Sequence, residues 1–492
     1  MTITRKATGF PLVALTALLL IATACSSDPP RPNILWIVVE DQSDHYGPYG
    51  ETLAKTPNVD RLAAEGATFS NAFVTAPVCS PARSALITGM YQTSIGAHHH
   101  RSARGEIENH LAVDVQLVPE LLKEAGYFVT NGRFTETGSA ELATGKTDYN
   151  FVYPDDLYDG SDWSERAAGQ PFFAQVQLRG GKLRNQQTLE PREDVHTNGI
   201  DPADVTLPPY YPDHPVIRED WAQYLESIEH VDWEVGLLLK RLEDEGAADN
   251  TVVIFLTDHG VSHARGKQFL YEEGIKIPLI VRAPGQVPAD SKRDDLVAHI
   301  DIAATTLDFA GVLVPETMQG RPLFGPNAMP RDHVVSARDR CDETVEYLRS
   351  VRTDRYKYIR NYLPQRPHLQ PNRYKDGKAV IKTIREMHAE GELNPHQERL
   401  FTVPRPKEEL YDLESDRHEL INLAADPAHQ ETLQKLRGIL DEWIETSGDQ
   451  GPETPEAYDS DMAVYLSNRR GLQRDILVRN IGTMKAWAAE GK

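Results

Sequence analysis

Apolar positions cluster along the chain with two different periods. Asn33-Ile34-Leu35-Trp36-Ile37-Val38-Val39 and Thr251-Val252-Val253-Ile254-Phe255-Leu256 are continuous apolar runs rich in β-branched residues. Such runs suit strands buried on both faces of a parallel sheet. Tyr127-Phe128-Val129-Thr130, Phe172 to Leu178 and Ile277 to Val281 add further strands. Between Arg218 and Glu245, Leu225, Ile228, Val231, Val235, Leu238, Leu239 and Leu242 recur with a helical period, which predicts a scaffold helix with one buried face. Shorter helices are expected from Pro57, with Thr56 as N-cap, from Leu117 to Ala125, and from Ile300 to Ala310. Strands alternating with helices predict an α/β fold with a large, mainly parallel sheet covered on both faces.

Beyond about residue 325 the pattern changes. His333 to Ala337, Tyr347 to Val351, Tyr356 to Arg360 and Glu409 to Leu413 are short segments that predict a smaller antiparallel sheet. A helix is expected from Thr432 to Thr446. The polar stretch Leu363 to Arg405 reads as a long surface insertion reaching over the site. The resulting division is 1–24, 25–325 and 326–492.

The first of these segments does not join the fold. Arg5 and Lys6 precede an apolar run, Phe10 to Ala22, too short to span a bilayer, followed by Ala24-Cys25-Ser26-Ser27. This predicts a lipoprotein signal cleaved before Cys25, which would carry the lipid, or else a plain secretory signal. Both readings export the protein, to the periplasm or outer surface. The charge balance narrows the partners: a formal net charge of −22 argues against nucleic acid and repels a polyanion at long range. Any anion pocket must gather its own cations. Of three cysteines, Cys25 goes to lipid, Cys79 is claimed by the chemistry below, and Cys341 is left alone, so no disulfide is expected.

Cys79 lies in Val78-Cys79-Ser80-Pro81-Ala82-Arg83-Ser84-Ala85-Leu86-Ile87-Thr88-Gly89. By residue type it is either a buried structural thiol or a nucleophile at a helix N-terminus, where the dipole and Arg83 depress a thiol pKa. Two strand ends carry acids, Glu40-Asp41 after the first run and Asp258-His259 after the second. In a doubly wound sheet both open onto one edge. Three carboxylates and an imidazole there suit a hard divalent cation, Ca²⁺ or Mg²⁺; separately, each pair would read as ordinary strand-end polar residues.

The C-x-P-x-R run with its Ser-Ala-Leu-Ile-Thr-Gly continuation resembles the signature of the type I sulfatases. The similarity extends to Thr56-Pro57-Asn58-Val59-Asp60-Arg61-Leu62, Gln268 to Gly274 and Glu409 to Leu413, within most of the mature chain. It is nearest to bacterial arylsulfatase-like and heparan N-sulfatase-like members. The resemblance implies an alkaline-phosphatase-like α/β sandwich and a sulfated small-molecule or glycan substrate. It also implies that Cys79 is oxidised to formylglycine by a separate maturation enzyme, and that one Ca²⁺ or Mg²⁺ ion is held by Glu40, Asp41, residue 79, Asp258 and His259. In the implied mechanism, one hydroxyl of the hydrated aldehyde attacks sulfur and the other expels sulfate, with Arg83 holding the diol and Lys146 and Lys267 neutralising the sulfate oxygens.

The match has departures. Glu40 replaces a usual Asp, and Asp148 stands where many relatives have histidine in Gly-Lys-x-His. Gly180-Gly181-Lys182 follows the Phe172 strand where a histidine is common, and residues 131–144 read as an insertion. The general acid and base are therefore open, with His263 and Lys182 favoured as pocket residues and His98, His99 and His100 as substrate contacts, a solvated loop or an adventitious metal binder. Rival functions are phosphonate or phosphate ester hydrolysis on the same fold, a catalytically silent glycan-binding lipoprotein, and a cysteine-nucleophile hydrolase.

Overall fold

Every residue of the first apolar run is buried, and Ile34 to Val39 are at most 1% exposed. Each such aliphatic side chain contributes about 1.5–3 kcal/mol on burial, so the run is held as a central strand with helices on both faces. A computed structural model of the chain describes residues 1–2, 31–134, 142–184 and 199–492. The expected signal segment, except residues 1 and 2, and Cys25 lie outside the described residues. So does part of the expected 131–144 insertion.

The first half comprises β1 (Asn33–Val39), α1 (Pro57–Ala64), β2 (Ala67–Phe73), α2 (Cys79–Thr88), α3 (Val118–Glu124), β3 (Phe128–Phe134), β4 (Leu142–Thr144) and β5 (Phe172–Leu178). It continues with α4 (Pro215–Asp244), β6 (Thr251–Thr257), α5 (Glu272–Ile275), β7 (Lys276–Arg282), β8 (Ser291–Ala298) and α6 (Asp301–Phe309). These strands form an eight-stranded sheet in the order β4-β3-β5-β1-β6-β7-β2-β8. The centre, β3-β5-β1-β6, is parallel throughout. β7 runs antiparallel to both β6 and β2, and β4 antiparallel to β3. The sheet is therefore mixed, though mostly parallel, as expected.

The second sheet, β9 (Val334–Arg338), β10 (Leu348–Arg352), β11 (Tyr356–Asn361) and β12 (Glu408–Asp412), is antiparallel in the order β12-β11-β10-β9. It is bonded directly to the loop after β2: Ala337 donates its amide to Thr75 O at 2.8 Å and Ser336 Oγ donates to Val74 O at 2.7 Å. Residues 32–492 accordingly form one compact unit. The change of texture near residue 325 marks the passage from one sheet to the other.

Three features differ from the sequence-based reading. Thr56 occupies the N-cap of α1 without a side-chain capping bond; Asp232 of α4 accepts the Asn58 and Val59 amides instead, at 2.9 and 2.8 Å. The insertion is not simply a polar surface stretch. It holds α7 (Arg373–Asp376), α8 (Ala379–Glu390) and α9 (Pro395–Glu398), and buries Leu369, Val380, Ile381 and Ile384. After α10 (Gln430–Ser447), two unexpected helices, α11 (Pro455–Ser467) and α12 (Gly471–Ala489), pack around a small core of Tyr458, Met462, Leu477, Ile481 and Met484. No helix among the described residues is long and apolar enough to cross a membrane.

Candidate active site

The register of the central strands builds the site. Val39 of β1 pairs with Thr257 of β6, so the next residues leave the sheet side by side. Asp258 donates its amide to Val39 O at 2.8 Å, and Asp41 donates its amide to Asp258 Oδ1 at 3.1 Å. Asp41 adopts a left-handed backbone, φ +56°, a conformation uncommon for a non-glycine residue and concentrated at functional sites. Arg101, Asp148, Arg265, Gln268 and Asp342 share this conformation.

Cys79 is the first residue of α2, after extended Val78, with its thiol at the positive end of a ten-residue helix. Its Sγ lies 3.2 Å from His259 Nε2 and 3.9 Å from Asp41 Oδ1. Lys267 Nζ reaches both, at 2.9 Å from Cys79 Sγ and 3.0 Å from Asp41 Oδ1. Burial pushes the thiol up, but Lys267, Lys182, Lys146 and His259 outweigh it and hold the thiol well below its ordinary value. Cys341 is also free and buried, so the two described cysteines form no disulfide.

Asp41, Cys79, Asp258 and His259 each offer a buried donor atom, all within 4.8 Å of one another. Burial keeps the Asp258 carboxyl above its usual range, whereas Lys267, Lys182 and His259 overcome burial to hold Asp41 well below its own. His259 Nδ1 sits 2.8 Å from the Gly260 carbonyl; donating there leaves Nε2 as the lone-pair nitrogen facing the acids, the tautomer a metal requires. The donor set fits a divalent cation.

Glu40 is arranged differently from its neighbours. Its carboxylate is taken up by cations: Arg83 at 3.0 Å, Lys146 at 2.8 Å and Lys182 in direct contact. Burial pushes it up, but Lys182, Lys146 and Arg83 hold it down at about 2. Arg83 also bridges to Asp258 Oδ2 at 3.2 Å and bonds Gln177 of β5. It therefore ties the ends of β1, β6 and β5 to α2. Lys182 reaches Glu40 because Gly181, in the turn after β5, donates its amide to Glu40 O at 2.9 Å.

The chain is similar to known proteins. The model of the Sulfatase family matches residues 32–312. The chain belongs to the sulfatase family. It is a sulfuric ester hydrolase, and a second model, N-sulphoglucosamine sulphohydrolase, C-terminal, matches residues 259–376. An ulvan-active sulfatase of Formosa agariphila is 33% identical over 466 residues, covering 86% of this chain and 76% of that protein. The human N-sulphoglucosamine sulphohydrolase is 26% identical over 485 residues, covering 88% and 93%. Among solved structures, BT4656 in complex with its substrate D-glucosamine-2-N,6-O-disulfate has a TM-score of 0.58 at 20% identity, covering 86% of this chain and 99% of its own. A phosphonate monoester hydrolase from Silicibacter pomeroyi has a TM-score of 0.59 at 18% identity, covering 85% and 96%. At those identities, the solved structures show a shared fold.

The remaining expected residues of this sulfatase are placed unevenly. Asp148 pairs with Arg104 at 2.6 Å, Lys146 at 2.9 Å and Arg101 at 3.4 Å. Arg101 donates its amide to Ser80 Oγ, beside Cys79. His263 is fully buried: its ring stacks on Trp221 at 4.8 Å, and its Nε2 meets Asp220 and, at 2.5 Å, Arg184. Burial, with Arg184, pushes it down to about 3. These contacts hold the ring in an aromatic cluster instead of against Cys79. His98, His99 and His100, expected as substrate contacts or a solvated loop, are only 5–7% exposed. His98 Nε2 lies 2.9 Å from Gly451 O and His100 Nδ1 lies 3.2 Å from Asp342 Oδ1.

Sequence reasoning missed Gln177 and Tyr374. Tyr374 of α7 donates its hydroxyl to Asp41 Oδ2 at 3.3 Å. Only the expectation that the insertion reaches over the site pointed toward it; no motif marks the residue.

Proposed function

We propose that this sulfatase removes sulfate, as an ester or a sulfamate, from a sulfated glycan outside the cytoplasm, with residue 79 as formylglycine and one Ca²⁺ or Mg²⁺ ion. The observation that carries this reading is the position of Cys79 at the N-terminus of α2, touching His259 and Lys267 and 3.9 Å from Asp41. Converted and hydrated, residue 79 would supply a geminal diol. One oxygen would attack sulfur and displace the alcohol or amine, which leaves with a proton, and deprotonation of the other would expel sulfate as the aldehyde re-forms. Asp41, Asp258, His259 and residue 79 would hold the cation, which supplies Lewis acidity.

The chain's own groups do the rest. Lys267 places a positive charge against Asp41 Oδ1 and Cys79 Sγ, whose place a diol oxygen would take, and so favours a deprotonated nucleophile there. Arg83 fixes Glu40 and Asp258 so that the acidic edge is preorganised. Lys146 and Lys182 meet at Glu40 and offer charge to the sulfate oxygens as negative charge grows in the transition state. A sulfated-glycan substrate is supported by the similarity to an ulvan-active sulfatase and an N-sulphoglucosamine sulphohydrolase. Export and lipidation at Cys25 rest on the signal motif, and Cys25→Ala is expected to abolish incorporation of labelled fatty acid.

The test is the mass of the proteolytic peptide containing residue 79, from protein made in a host able to mature sulfatases. It is followed by kcat/KM on sulfate, phosphate and phosphonate esters of one leaving group. Formylglycine and a preference for the sulfate ester are expected. Unmodified cysteine in protein that still turns over sulfate esters would overturn the nucleophile, and a preference for phosphonate would overturn the substrate class.

A further inference from the structure

Lys378 immediately precedes α8, in the insertion. Its side chain is half-buried, yet among the described residues its ammonium makes no hydrogen bond or ion pair. It lies over the face of Tyr374, 4.8 Å from the ring centroid, and within the electrostatic reach of Asp41, Asp220, Arg184 and Lys267. Lys267, which touches Cys79, lies 5.2 Å from the centroid of the same ring. The two ammoniums are thus no further apart than the sum of those distances, which substituents on one sugar ring or on adjoining rings can span. Tyr374 is itself fixed by its bonds to Asp41 and Ser262, at 3.3 and 3.5 Å.

Other cations near the site have partners of their own: Lys267 pairs with Asp41, Lys146 and Lys182 with Glu40, Arg184 with Asp220, and Lys375 bonds the His263 carbonyl. A partly desolvated ammonium without a carboxylate is costly unless a ligand completes it. A chain of net charge −22 gains nothing from long-range attraction of a polyanion, so recognition must come from local groups like this one.

We propose that Lys378 is a specificity-determining residue that binds a second anionic group of the substrate, a carboxylate or another sulfate, next to the sulfate being cleaved. The inference rests on the sulfatase reading of the Cys79 site. Tyr374 acts as a positioning residue, holding the Lys378 ammonium against its ring. Burial, with Arg184, pushes the Lys378 ammonium down to about 7 in the free protein, and a docked anion favours its charged form.

The experiment compares wild type, Lys378→Gln and Lys378→Arg on two substrate pairs. One pair is D-glucosamine-2-N,6-O-disulfate against its monosulfated forms. The other is a sulfated disaccharide containing a uronate against its carboxyl-reduced counterpart. Loss of one charge-assisted contact predicts a kcat/KM drop on the order of 10- to 100-fold greater for one doubly anionic substrate than for its partner, carried mainly by KM. Lys378→Arg is expected to restore most of it. A selective loss in the first pair identifies a second sulfate, and in the second pair a carboxylate. Equal losses within both pairs, or none, would overturn the proposal while leaving the sulfatase reading intact. If the wild type turned over no sulfate ester, the functional reading would fall separately. Calorimetric affinity for the disulfated sugar would then decide, with binding that is absent, or equal in wild type and Lys378→Gln, overturning the role of Lys378.

Discussion

Glu234 shows how strongly position on one helix face governs a single side chain in this sulfatase. It lies on the buried side of α4, with His230 Nε2 3.8 Å from its carboxylate, and burial raises its carboxyl to about 8 despite the distant pull of Arg179. A carboxyl raised on folding binds its proton more tightly in the native state. Its stabilising contribution is therefore complete below the unfolded value of 4.5 and is lost as pH climbs through about 8. The difference in unfolding free energy between wild type and Glu234→Gln is expected to change by a few kcal/mol across that window, with wild type losing ground at the alkaline end. Parallel denaturant midpoints from pH 5 to pH 9 would refute the assignment. Glu40 at the site shows the opposite balance: equally deep, it is held at about 2 because three cations meet it.

At the scale of elements, the site depends on backbone contact between the end of β1 and the turn after β5. A Cβ built on Gly181 would collide with the carbonyl oxygen of Asp41, and one on Gly180 with that of Glu40. Neither obstacle is a flexible side-chain tip, so the backbone must move. Gly181→Ala is expected to cost about 1–3 kcal/mol of stability and to reduce turnover beyond that, because Asp41 and Lys182 shift together. Tm and kcat/KM measured on the same preparation check this, and an alanine variant with unchanged turnover would show that the turn can yield freely. The main strands were legible as elements: β1 and β6 are apolar through their interiors, β5 is apolar apart from Gln175 and Gln177, and α4 carries a helical stripe. β2 and β8 were not. Ala67-Thr68-Phe69-Ser70-Asn71-Ala72-Phe73 is interrupted by polar residues, and β8 begins Ser291-Lys292-Arg293-Asp294 with only its second half buried. Their strand state comes from pairing, with β2 between β7 and β8, not from local pattern.

Across the whole molecule, the candidate cation site gathers Asp41, Cys79, Asp258 and His259 from β1, α2 and β6, and Tyr374 reaches Asp41 from the second half of the chain. Removing the cation with a chelator is expected to abolish turnover and lower Tm, with Ca²⁺ or Mg²⁺ restoring both. An ion at 100 times its dissociation constant would add about 2.7 kcal/mol. Full activity after exhaustive chelation, confirmed by elemental analysis, would exclude the cation from the reaction.

By itself, the sequence determined the α/β character, the two-sheet division and the four donor residues that meet at the edge, because apolar runs, Cys79-x-Pro81-x-Arg83 and two strand-end pairs are local patterns that survive translation into structure. Only the tertiary structure decided how those groups share charge. Glu40 turns to Arg83, Lys146 and Lys182 instead of joining the four grouped donors, and His263 is locked against Trp221. The insertion likewise brings Tyr374 and Lys378 to the site. Electrostatic partnership depends on separations of a few ångströms between residues up to 333 positions apart, and no local spacing encodes those distances.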